Sequence, residues 1–163
     1  MSTRRDLLCL LPAAALLAPE LIRAQETAKT PAQAAASAAA AKLGTEMYAH
    51  NRVMRASEMP IKTSATGSSQ AIGHGSLITG EGVEQHNTVL LPGMEPHPPH
   101  QHEHSEWLFI REGNVEWLID GKRQPAGPGD ICYAASNVLH GLRNVGTVPA
   151  KYFVLAVGPN LKA

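Results

Sequence analysis

The sequence predicts an all-β chain folded as one antiparallel barrel over residues 70–158, behind an N-terminal extension that is partly disordered or helical. Three observations carry this. From Ala71 the chain breaks into short runs of β-type residues separated by glycine-bearing turns, the rhythm of an antiparallel barrel or sandwich. Residues alternate between apolar and polar within those runs, as strands with one buried face require. No internal repeat is present, so one barrel is expected and not two.

Taken in order, residues 1–24 read as an export signal. Arg4-Arg5 precedes an apolar run from Leu7 to Ala18, and Arg23-Ala24-Gln25 follows. Paired arginines ahead of a short apolar stretch resemble a twin-arginine signal with cleavage near Ala24, which predicts a periplasmic or secreted protein. The run is too short for a membrane span, and Cys9 sits too early for a lipoprotein anchor, so no stable membrane anchor is expected. Residues 26–41 are alanine-rich, with helix propensity but no apolar face to bury, and read as a tether. Residues 42–60 could form a short helix or an arm against the barrel. Residues 62–70, rich in Ser, Thr and Gly, read as loop.

Strands are predicted at 75–79, 84–91, 106–111, 114–119, 122–126, 131–135, 139–144 and 151–157, with a tail at 159–163. Asp120-Gly121 is a two-residue hairpin signal, and Gly127-Pro128-Gly129-Asp130 marks another turn. If Glu106 points inward, Leu108 and Ile110 do too, while Trp107 and Phe109 face out. Keeping Glu116 outside places Val115, Trp117 and Ile119 inside. The same counting puts Leu142 and Asn144 inward and Arg143 outward. Trp117, Leu108, Ile110 and Leu142 are therefore candidate walls of a pocket, and Tyr133 could face either way.

Composition narrows the partners. Without Arg4, Arg5, Arg23, Asp6 and Glu20, the chain from Gln25 onward carries 11 basic and 12 acidic side chains. So even a balance, with no basic run, gives no electrostatic footprint for nucleic acid, and points to small molecules instead. Cys132 is the only cysteine after the signal, so the exported domain has no internal disulfide. It falls in a strand-like run, where a buried apolar role is expected.

Four of the eight histidines, His97, His100, His102 and His104, fall within eight residues. A His-x-His pair on a strand sends both imidazoles to one face, and Glu106 follows closely enough to offer a carboxylate to the same point. With the distant His140, the set His100, His102, Glu106 and His140 suits a first-row transition metal with open positions. His104 shares the parity of the pair and could border the site, His97 reads as a rim residue stiffened by Pro98-Pro99, and Glu103 should be exposed. His50, His74 and His86 carry no pattern, and ordinary surface or core roles suffice for them.

At these residues the chain resembles the cupin superfamily. His100, His102, Glu106 and Gly113 match its first motif, with Gly93 displaced by one residue. Gly129, His140 and Asn144 match its second, with Ala135 where proline is usual and Asn137 where glycine is usual. Asn tolerates a left-handed conformation better than most residues. The resemblance implies a double-stranded β-helix of the jelly-roll type, a divalent metal (Fe, Mn, Zn, Ni or Cu) and a small-molecule substrate. Cupins are often homodimers, and outward Trp107 and Phe109 would suit such an interface. One fold hosts many chemistries. The full four-ligand set points first to a dioxygenase-type oxidoreductase, with Glu106, His104 and Tyr133 as candidate catalytic residues. A redox-neutral sugar or organic-acid isomerase or lyase, and a non-catalytic binder, are the alternatives.

Overall fold

A computed structural model describes residues 46–159 and Leu161, so the predicted export signal and alanine-rich tether lie outside the described residues. Among the described residues are nine strands: β1 Ile61–Ser64, β2 Gly67–Ser76, β3 Gly82–Leu90, β4 Ser105–Glu112, β5 Val115–Ile119, β6 Lys122–Ala126, β7 Ile131–Ala134, β8 Leu142–Asn144 and β9 Ala150–Gly158. They pair antiparallel into a six-stranded sheet, ordered β1-β2-β3-β9-β4-β7, and a three-stranded sheet, ordered β6-β5-β8. The fold is all-β, as predicted. Its core draws from both sheets: Leu90, Leu108, Ile110, Tyr152 and Val154 meet Val115, Trp117 and Leu142. Trp117 also ties the sheets by donating its indole N–H to the Tyr133 carbonyl at 3.3 Å.

Period-two alternation sorts most of the inner wall correctly. Leu108 and Ile110 are buried on β4, as are Val115 and Trp117 on β5 and Leu142 and Asn144 on β8, while Arg143 is exposed. Cys132 is buried as well. Ile119 departs from the prediction. It ends β5 beside the hairpin turn, where the sheet no longer covers it, and is 38% exposed. The turn itself is as expected, with Asp120 (φ 48°) and Gly121 (φ 75°) both left-handed, matching strand twist across a two-residue loop. At 127–130, Asp130 N–H donates to the Gly127 carbonyl and its carboxylate accepts from Gly127 N–H.

Residues 62–70 are not a loop but most of the β1–β2 hairpin, so sheet structure begins at Ile61. All four residues of β1 are exposed, and without a buried face no apolar alternation marks it. Backbone pairing holds the hairpin instead. Gly67 (φ 147°) lies so near β3 that a Cβ there would stand 1.9 Å from the Val89 carbonyl oxygen, which only glycine avoids. Upstream, residues 46–60 form an arm with one short 3-10 helix, Ala56–Glu58. Gln70 anchors it by donating to the carbonyls of Ala56 and Met59, and Tyr48 donates to Gln85 Oε1 at 3.3 Å.

The predicted strand 139–144 shortens to β8, Leu142–Asn144. His140 leaves the ladder to pair with His100 in an isolated antiparallel bridge, and Gly141 packs against Pro99.

Candidate metal centre

His100, His102 and His140 come together with ligand nitrogens all within 4.8 Å of one another. The route differs from the strand argument. His100 and His102 lie in irregular backbone before β4. His100 is placed by its bridge, in which His100 and His140 each donate N–H to the other's carbonyl at 3.0 Å. Asn137, left-handed at φ 58°, donates its N–H to the His102 carbonyl at 2.7 Å and so holds the loop that leads to His140. The glycine-to-asparagine exchange in the second motif therefore occupies a position that needs positive φ.

Hydrogen bonds fix two of the three rings. His102 Nδ1 lies 2.8 Å from the His104 carbonyl and His140 Nδ1 lies 2.9 Å from the Val138 carbonyl. A carbonyl only accepts, so both Nδ1 atoms carry hydrogen and both neutral rings keep their lone pair on Nε2. Glu106, second residue of β4, sets Oε2 3.2 Å from His102 Nε2 and 3.5 Å from His140 Nε2. His100 Nδ1 and His140 Nε2 are buried without a hydrogen-bond partner among the described residues. Unsatisfied buried nitrogens are costly, and a cation held by their lone pairs would remove that cost. These side chains thus fit a divalent metal, with the two carbonyls orienting the ligand rings from behind.

Electrostatics act differently on the three groups. Burial, then the neighbouring His97, His140 and His102, push His100 down to about 4, so its ring is neutral at ordinary pH. At His140, burial opposes charge, but the Glu106 carboxylate and the Val138 carbonyl prevail and raise its pKa. Glu106 is also buried, yet contact with His140 and His102 leaves its carboxyl below the usual range.

The other candidates separate. His104 is half-buried, stacks on His102 with ring centroids 3.6 Å apart and supplies the carbonyl that orients it; burial first, then His102, lowers its pKa. His97 is exposed at the rim, edge-on to His100 at 4.2 Å. Glu103 is exposed, as expected. Tyr133 faces outward, half exposed, with its hydroxyl on Ser105 Oγ and its ring on Trp107, so it does not reach the site. Asn144 is a brace: its amide donates to the Leu90 and Val148 carbonyls, and its oxygen accepts from Gly146 N–H.

A cavity of about 280 Å³ opens beside Glu106 and His140. Trp117, Leu108 and Leu142 line it as predicted, whereas Ile110 is core and does not reach it. Trp117 stands 5.5 Å from the His140 ring. Sequence reasoning missed the opposite wall, made by Ser64, Thr66, Ser68 and Ser69 of the hairpin and by His86 and Thr88 of β3. Parity could have found His86, which shares the inward phase of Leu90 on β3.

Residues 87–157 match the family model described as Cupin domain. Among solved structures, KdgF from Halomonas sp. superposes with TM-score 0.59 at 17% identity, over 69% of this chain and 97% of that one. A predicted oxalate decarboxylase from Thermotoga maritima gives 0.55 at 20% identity, over 66% and 99%. An RmlC-like cupin from Shewanella frigidimarina gives 0.55 at 18% identity, over 69% and 95%. No curated protein matches the sequence. The family match and the shared fold support the cupin superfamily, with a three-histidine group suited to a metal.

Proposed function

We propose that His100, His102, His140 and Glu106 together hold a divalent transition metal (Fe, Mn, Zn, Ni or Cu). The protein is then a metal-dependent enzyme, of dioxygenase type in the first reading, acting on a small organic molecule in the adjoining cavity. One observation carries this: two imidazoles are oriented from behind by backbone carbonyls so that their free lone pairs meet beside a carboxylate. Bound there, the metal supplies a Lewis acid with open positions for substrate oxygens or O₂. The chain's own groups do the rest. Leu108, Leu142 and Trp117 give an apolar floor that excludes water, and Glu106 can exchange between holding the metal and accepting a proton.

Metal analysis of protein purified without added metal, with oxygen uptake on candidate enols, catechols and thiols, tests this reading. Stoichiometric metal with substrate-dependent oxygen uptake is expected. Turnover without oxygen uptake would assign the redox-neutral isomerase or lyase, a reading that the second base in the cavity wall, His86, also favours. A folded protein that takes up no metal would overturn the proposal.

Two expectations remain proposals. Export rests on residues 1–24. A homodimer would cover the outer face, where Trp107 meets Tyr133 and Phe109 meets Phe153, Tyr133 being exposed and the other three half-buried.

A further inference from the structure

The cavity wall opposite the histidines carries a second constellation that the metal reading does not use. His86 Nδ1 lies 2.8 Å from Glu84 Oε1, and both side chains are about a quarter exposed. Two residues apart on β3, they share the inward face with Thr88 and Leu90. Their register fixes where they stand. Glu84 pairs with Ala156 of β9, which pairs with Glu106 of β4; His86 pairs with Val154, which pairs with Leu108. Glu84 and Glu106 are therefore two strands apart on one face, about 10 Å between backbones at the usual strand spacing. The residue between them is only an alanine. Of these residues His86, Val154, Leu108 and Glu106 line the cavity, so the His86 ring and the metal group both face it, while Glu84 stands outside the lining.

This is the arrangement of a general base with its orienting carboxylate: Glu84 takes the Nδ1 hydrogen, leaving Nε2 as the ring nitrogen a ligand can reach. The rest of the wall indicates what the ligand is. Ser69 and Thr88, paired across β2 and β3 on the inward face, present hydroxyls that both donate and accept, and neither Lys nor Arg lines the cavity among the described residues.

We propose that His86, oriented by Glu84, is the acid–base residue of this cavity and that its substrate is an α-hydroxycarbonyl compound. The proposal rests on the metal reading above, because adjacent carbonyl and hydroxyl oxygens are a bidentate match for a metal with two open positions. His86 Nε2 accepts the proton from the α-carbon. The C–H electron pair becomes the new C=C bond, and the carbonyl π pair moves onto its oxygen. Return of the proton from the ring to the same carbon reverses the step; delivered to the former carbonyl carbon, while the α-hydroxyl proton passes to the former carbonyl oxygen and the α-oxygen becomes the new carbonyl, it completes an isomerisation. No oxidant or reductant is consumed.

The test uses dihydroxyacetone as probe and the full-length protein loaded with zinc. In D₂O, proton NMR follows exchange of the probe's CH₂ hydrogens, and ¹H–¹⁵N spectra follow the His86 ring, assigned from its absence in His86→Gln. Exchange above the zinc-buffer rate is expected, slowed at least about 100-fold in His86→Gln with zinc content unchanged, and slowed less in Glu84→Gln. The His86 ring signals should move on adding probe. Wild-type exchange no faster than buffer, an unaffected His86→Gln variant, or ring signals that stay still would each overturn the proposal. Failure of the metal reading looks different: the wild-type protein would not retain zinc, and His100→Ala would not alter its zinc content.

Discussion

On one side of the cavity the metal-binding candidates hang from irregular backbone, where His100 is held by a two-residue bridge to His140, and His102 by the His104 carbonyl behind its ring. On the other, His86 and Thr88 occupy alternate positions of a regular strand bonded to neighbours on both edges. The first wall depends on particular atoms, since losing one partner frees a ring. The second depends on the ladder, which is indifferent to side chains. Ligand geometry should therefore be sensitive to substitution in a way that the substrate wall is not.

The largest expected effect follows directly. His140→Ala should weaken metal binding at least about tenfold, as removal of even an outer partner commonly does, whereas Thr88→Ala should leave metal content unchanged; metal analysis after dialysis compares them. Equal losses in both variants would break the distinction between the walls.

Next in size is Asn144, fully buried and tied by three hydrogen bonds to Leu90, Val148 and Gly146. Asn144→Ala strands the buried Leu90 carbonyl and two part-buried backbone groups and should cost at least about 2 kcal/mol, at roughly 1–3 kcal/mol per fully buried unsatisfied group, measured by urea denaturation. A loss no larger than that of an exposed substitution would show that the brace is dispensable.

The smallest effect is a pH dependence of the metal-free protein. His100 falls from an ordinary 6.5 to about 4 on folding. Between those values the unfolded chain binds more protons, so the stability linked to this group is whole above pH 6.5 and lost as pH falls toward 4. His140 is shifted the other way, and its contribution is present below 6.5 and fades as pH rises through its raised folded value. Thermal melts from pH 4 to 6.5 should show Tm falling with acidity, less steeply in His100→Gln. Parallel slopes would remove His100 from the account.

The same contrast explains what the sequence discloses. The irregular wall is legible because its chemistry needs rare residues at close spacing: four histidines in eight positions, then His140 followed by Asn144. Core strands such as Glu106, Leu108 and Ile110 are legible because burial imposes period two. The hairpin escapes since β1 buries nothing, so Ser and Thr there look like loop. His86 is harder to read: parity places it inward, but a single histidine on an ordinary strand has no spacing that marks it as functional. Tyr133 illustrates the limit of parity alone, since register with Trp107 across β4 and β7, invisible in one strand's sequence, turns it outward.

The bridge between His100 and His140 has a further consequence. These residues are forty positions apart in the chain, and Cys132 is a free thiol. An ion gripped by both rings would close that forty-residue loop much as a disulfide would, removing freedom chiefly from the unfolded ensemble by an amount that grows slowly with loop length. The proposed metal group of this barrel would thus also act as a staple, and binding of the ion would raise its resistance to unfolding in the same event.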